Sequence, residues 1–194
     1  TSIPKAYSII NPNQKDCDYP FKGLCGCGIG FKLISAIEKK MGGREEVNQY
    51  LDLVAIATIA DQMPMINENR TIVHHGLKEL NKNPRPGFHF FIRSINRDIV
   101  ESDISFNIGP RINASGRMKS GMISVQLMIE KETNKAYKIA QEIESIISTL
   151  QQRTQQVVSL MQQCRQQGDA SSAQATKAGE LLQSITEDVQ NIMD

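Results

Sequence analysis

Tyr50-Leu51-Asp52-Leu53-Val54-Ala55-Ile56-Ala57-Thr58-Ile59-Ala60-Asp61-Gln62-Met63-Pro64 is an almost unbroken apolar run that stops at a carboxylate. Only Asp52 and Thr58 interrupt it between Leu51 and Ala60, so no polar face is left for solvent. A helix with that pattern is expected to be buried. Pro64 then bounds a loop. Asp61 is therefore expected where a buried element gives way to a loop, a position that suits a site residue. Capping of the following helix is the alternative role.

Upstream, Ala6 to Ile10 is a short apolar run ended by Asn11-Pro12 and reads as a strand entering a loop. Gly23-Leu24-Cys25-Gly26-Cys27-Gly28-Ile29-Gly30 reads as a glycine-rich loop opening a helix, which Phe31, Leu33, Ile34 and Ile37 continue and Gly42-Gly43 closes. These glycines serve close packing as readily as phosphate binding. Cys25 and Cys27 form a CxC pair with no second pair at zinc-finger spacing, and a packed turn is expected there.

Downstream, residues 68 to 81 are expected as an amphipathic helix with Ile72, Val73, Gly76, Leu77 and Leu80 on one side. His74 and His75 point about 100° apart on such a helix and do not readily share a metal. His89 has no evident partner. Ile104 to Ile108 alternates as a strand and Gly109-Pro110 breaks it. Arg111-Ile112-Asn113-Ala114-Ser115-Gly116-Arg117-Met118 then reads as a tight loop with a guanidinium at each end, suited to bidentate contact with phosphate. Two solvated arginines on a turn are the alternative.

A 40% hydrophobic share is enough to build a core. The net charge of +1 gives no global electrostatic argument for nucleic acid or membrane, so any anion site must be local. No apolar run is long enough to span a bilayer. The four cysteines, with no secretory signal, predict reduced thiols in a cytoplasmic protein. A start at Thr1, without an initiator methionine, predicts a fragment.

The last quarter changes character. No proline follows Pro110 and no aromatic follows Tyr137. A heptad seam runs from Ile143 through Ile147, Leu150, Thr154, Val157, Met161, Cys164, Gly168, Ser171, Ala175, Ala178, Leu182, Ile185, Val189 and Ile192. This predicts a long helix with a small-residue middle.

Asn11-Pro12, Tyr19-Pro20-Phe21-Lys22-Gly23-Leu24 and Gly28-Ile29-Gly30-Phe31-Lys32-Leu33 together resemble the RecJ family of DHH phosphoesterases. Tyr50 to Ala55, Ile59-Ala60-Asp61-Gln62-Met63-Pro64 and Pro110 to Met118 agree in the same order. The resemblance implies an α/β domain that removes nucleotides from the 5′ end of single-stranded DNA with two divalent ions, Mn²⁺ or Mg²⁺. It implies that Asp61 is a metal ligand and that Arg111, Asn113 and Arg117 contact the DNA backbone or scissile phosphate. The Asp-His-His triplet and other upstream aspartates of that family are missing, and Val73-His74-His75 is not a substitute. One aspartate cannot hold two ions, so weak metal binding and little hydrolysis are expected.

Residues from about 141 to 194 resemble the cytoplasmic helical hairpin of methyl-accepting chemotaxis receptors, without its kinase-contacting tip. The expected architecture is a partial α/β DHH-type domain over residues 1–135 and a long coiled-coil helix over 136–194. Single-stranded DNA is the expected partner, with self-association possible through the terminal helix. The rival readings are a helical interaction or signalling protein of chemoreceptor type, and a nucleic-acid-binding module without hydrolysis.

Overall fold

The computed structural model describes residues 4–43, 46–93, 95–118 and 121–193, except the side chains of 117, 118, 183 and 187–193. The helices are α1 Gly26–Lys40, α2 Leu51–Ala60, α3 Asn67–Lys82, α4 Pro86–Ile92, α5 Glu101–Asp103, α6 Gly109–Met118, α7 Met122–Ile129 and α8 Thr133–Met193. A 3₁₀ turn, Glu46–Tyr50, leads into α2, and a π-helical segment, Ile104–Ile108, joins α5 to α6. The chain divides into two compact units, Thr1–Ile147 and Ser148–Asp194.

In the first unit α2 is the central element. Val54, Ala55, Ile56, Thr58 and Ile59 are all buried, as the absence of a polar face predicts. One cluster gathers Ala55, Ile56, Ile59, Val73, Leu80, Phe88, Phe91 and Leu127 among others, and a second holds Phe21, Leu24, Val54 and Ile72. α3 lies against α2 closely enough that a Cβ on Gly76 would stand 2.2 Å from the Leu51 carbonyl oxygen and 2.4 Å from the Ala55 Cβ. Gly76 is thus a helix-contact residue, which explains a glycine inside an otherwise regular amphipathic pattern. The start of α8 belongs to the same core, with Ala136, Ala140 and Ile143 fully buried.

Three expectations are corrected. No strand occurs among the described residues, so the α/β class is not what these residues form. Residues 6–10 run as irregular chain; a strand needs a neighbour to satisfy its N–H and C=O groups, and no other described segment is extended into one. Ile104–Ile108 is helical, not extended. Ile104 and Ile108, four apart, are both buried while Phe106 is 84% exposed. An alternating strand would have put all three on one face. Finally, Arg111 to Met118 is helix α6, not a tight loop.

In the second unit the helix is regular and every described side chain from 151 onward is exposed. Among the described residues, no helix is long and apolar enough to cross a membrane.

Candidate functional site

α1 and α2 end in the same way, with different residues. At the end of α1, Gly42 takes φ +74°, and Gly43 N–H donates to the Glu38 carbonyl at 2.9 Å. At the end of α2, Gln62 takes φ 54°; its N–H donates to Ile59 O at 3.0 Å, and Met63 N–H donates to Thr58 O at 3.1 Å. Both are Schellman closures, in which a left-handed residue lets the chain turn back on the last carbonyls. Glycine adopts that conformation freely and glutamine does not, so the α2 end holds local strain of order 1–2 kcal/mol. Asp61 is the cap residue just before it, with its N–H on Ala57 O at 2.9 Å and its side chain exposed. It does not cap α3, whose N-cap is Ile66.

A carboxylate at a helix C-terminus adds its charge to the negative end of the helix dipole. That arrangement opposes stability and draws cations to the point.

The start of α1 packs beside this end. Cys25 caps α1 by accepting the Gly28 N–H at 3.3 Å, and its Sγ lies 3.5 Å from Thr58 Oγ1, one turn before Asp61. Partial desolvation pushes the Cys27 thiol up to about 11, and the electrostatic influence of the neighbouring Cys25, Asp61 and Asp52 adds to the effect. At neutral pH, with no cation beside it, the Cys27 thiol is therefore a weak nucleophile. Cys25 is thus the N-cap of α1 and Cys27 stands exposed in its first turn, so the CxC pair marks a helix start rather than the packed turn expected from the sequence.

The loop after Asp61 is tied down by Asn69 on α3. Its Nδ2 donates to Pro64 O at 3.0 Å and to Gly23 O at 2.7 Å, while its Oδ1 is buried without a partner. One side chain thus fixes the loop beyond Asp61 to the loop that opens α1. Nearby, Tyr19 Oη donates to Glu68 Oε1 at 2.7 Å, and Lys32 Nζ lies 2.5 Å from Glu68 Oε2. Burial alone would raise the Glu68 carboxyl, but hydrogen bonds from Lys32 and Tyr19 outweigh it and hold the carboxyl below its ordinary value. The Tyr19 phenol is raised, by burial first and then by Glu68.

Under α2, Asp52 is fully buried and paired with Arg85, Nε to Oδ2 at 2.6 Å and Nη2 to Oδ1 at 3.2 Å. Sequence reasoning missed Asn69, Glu68 and Arg85. Each is one polar residue among several at a helix start, and no local pattern separates it from its solvated neighbours.

The arginine segment is placed differently from the expectation. Arg111 is engaged within the protein, with Nε on Glu144 Oε2 at 2.8 Å, Nη1 on Asn107 O at 2.8 Å and a further bond to Asn107 Oδ1. Asn113 is exposed. Arg117 is within helix α6, but its side chain lies outside the described residues. Positions 111 and 117 therefore lie along one helix rather than at the two ends of a tight loop.

Among the described residues, no three His, Cys, Asp or Glu side chains converge on a point that a metal could occupy. Asp61 stands as a single exposed carboxylate, and these residues do not by themselves fit a two-ion centre.

No family model matches the chain. Curated relatives do. The single-stranded-DNA-specific exonuclease RecJ of Escherichia coli K12 is 33% identical over 162 residues, covering 76% of this chain and 28% of that protein. RecJ of Bacillus subtilis 168 is 37% identical over 147 residues, covering 74% of this chain and 18% of that protein. Three quarters of this chain is RecJ-like. The solved structure of RecJ from Thermus thermophilus in complex with Mg²⁺ superposes with a TM-score of 0.63 at 26% identity, over 70% of this chain and 22% of that one. An exonuclease RecJ bound to manganese gives 0.63 at 25%, over 70% and 35%. This chain thus spans under a third of the curated RecJ proteins it matches. The absence of the Asp-His-His triplet accords with a RecJ segment that lacks it.

Proposed function

We propose that this chain is the part of a RecJ-like 5′-to-3′ single-stranded-DNA exonuclease that supplies Asp61 and the helical scaffold behind it, and that it hydrolyses DNA poorly by itself. The observation that carries this reading is the placement of Asp61: exposed, at the negative end of the buried helix α2, on a strained turn that Asn69 ties down. The divalent ions in the solved RecJ structures support Mn²⁺ or Mg²⁺ as the cation Asp61 would help to hold. Hard cations take carboxylate oxygens, but a pair of ions needs several more ligands than the described residues bring together. Arg111, Asn113 and Arg117 are the proposed contacts to the DNA backbone, with Arg111 exchanging Glu144 for phosphate. On this reading residues 1–135 are the RecJ-like domain, 136–194 a coiled-coil helix, and the protein works in the cytoplasm.

The test is Mn²⁺-dependent release of nucleotide from 5′-end-labelled single-stranded DNA, with Asp61→Ala as control. The expected result is no metal-dependent release above the control. Release that Asp61→Ala abolishes would show that the chain assembles a working site and would overturn the incompleteness. Salt-dependent DNA binding lost on Arg111→Ala with Arg117→Ala would instead identify a binding module without hydrolysis.

A second reading, association between copies through α8, is favoured by the exposure of Val157, Leu160, Met161, Leu181, Leu182 and Ile185. The comparisons lend no support to a chemoreceptor origin for this helix.

A further inference from the structure

We propose that the second unit is an antiparallel homodimerisation helix, with a second copy of this chain running in the opposite direction and the two-fold axis between Gly168 and Ser171. The proposal rests on the reading that α8 self-associates, and it assigns the direction and register of that association. Every described side chain from 151 onward is exposed, and Val157, Val158, Leu160, Met161, Leu181, Leu182 and Ile185 are each at least half exposed. They form two groups at either end of a seam whose middle, Cys164, Gly168, Ser171, Ala175 and Ala178, is small, and two such exposed groups on one helix call for a partner helix.

The sequence indicates which partner. When one strand is reversed about a centre between positions 169 and 170, each seam residue of one heptad type meets one of the other type. Thr154 faces Ile185 of the other copy, Val157 faces Leu182, Met161 faces Ala178, Cys164 faces Ala175 and Gly168 faces Ser171. Large residues are set against smaller ones at the ends, and the smallest pair lies on the axis, where the two backbones approach most closely.

The flanking positions separate this arrangement from a parallel one, since they set partner choice and orientation in coiled coils. Antiparallel pairing puts Leu160 against Leu181, Val158 against Gly179 and Arg165 against Ser172. Parallel pairing in register would instead put Leu160 beside Arg165 and Arg153 beside Val158, leaving the apolar flank against charge.

Size is adequate as well. From Thr154 to Ile185 the helix is about 48 Å long, and a strip about 10 Å wide on each copy encloses roughly 1,000 Å² in total. That is where specific interfaces begin.

The test uses the whole chain. Sedimentation equilibrium over a range of concentrations reports association, and mild oxidation with copper phenanthroline followed by tryptic mapping reports direction. Cys164 and position 175 are about 16 Å apart along one helix, so a disulfide between them forms only across two chains. The expected result is a dimer that forms no Cys164–Cys164 bond in the wild type. In Ala175→Cys, the same dimer is trapped mostly by bonds from Cys164 to residue 175 of the other copy.

A Cys164–Cys164 bond in the wild type, a dimer of Ala175→Cys without the 164–175 bond, or a four-chain mass would each overturn the antiparallel register while leaving self-association standing. A monomer at all concentrations would remove both.

Discussion

The two units of this chain are built from the same local material and differ in what that material touches. Around α2, apolar residues find partners within the chain, and even the polar exceptions are enclosed: Asp52 by Arg85, Thr58 by the Val54 carbonyl. From 151 onward, apolar residues recur just as regularly but every described one is exposed. Apolar periodicity therefore specifies a helix and a face. It does not specify whether the face is satisfied inside one chain or between two. The first unit also carries its chemistry at a helix end, where backbone closure leaves Asp61 in solvent, whereas the second carries only a seam.

This contrast can be broken, starting from the first unit. Arg85→Ala leaves the Asp52 carboxylate buried without its cation and is expected to destabilise the first unit by about 3–5 kcal/mol. Urea unfolding followed by tyrosine fluorescence checks it, because no aromatic residue follows Tyr137 and the signal reports the first unit alone. Far-UV circular dichroism should retain the helicity of 148–194 at urea concentrations where tyrosine has already changed. Loss of both signals together would show that the two units are not energetically separate.

Gly76→Ala drives a Cβ against the Leu51 carbonyl and the Ala55 side chain, and is expected to cost about 1–3 kcal/mol in the same assay. An unchanged midpoint would mean that α3 moves away from α2 freely.

The paired helix ends give a finer comparison. Gly42→Ala should destabilise by about 1 kcal/mol, because φ +74° penalises any Cβ. Gln62→Gly should stabilise by about 0.5 kcal/mol, since relief of the left-handed strain exceeds the added freedom of the unfolded chain. Equal and negligible shifts at both sites would remove strain from the account of the α2 end.

The smallest effect expected is at Asp61. Asp61→Asn takes a negative charge from the negative end of α2 and should raise stability by about 0.3–0.5 kcal/mol at low salt, fading as salt is added. A fall in stability would mean that the carboxylate serves the fold and would weaken its reading as a site residue.

Much of the helix pattern was legible in residues: the all-round apolar run of α2, the Gly42-Gly43 stop of α1, the amphipathic face of α3 and the seam of α8. Each rests on interactions within a few residues, which sequence spacing reports directly. Ile104–Ile108 misled because a two-residue alternation of apolar side chains over five positions also contains an i, i+4 pair, and only burial of Ile104 and Ile108 with Phe106 outside selects the helical answer. Arg111 misled because its partner Glu144 is 33 residues away.

Residue pattern alone was enough to place α1, α2, α3 and the long α8, to set Asp61 at the end of the buried α2, and to show the RecJ order of motifs. These follow from local periodicity, from backbone preferences at glycine and proline, and from motif order. Folding in three dimensions was needed to show that Asp52 is neutralised by Arg85, that Asn69 fixes the loop after Asp61, that Arg111 is bound to Glu144, and that no strand forms among the described residues. Those outcomes depend on pairing between groups distant in the chain, where desolvation makes one polar partner essential and the sequence offers many candidates.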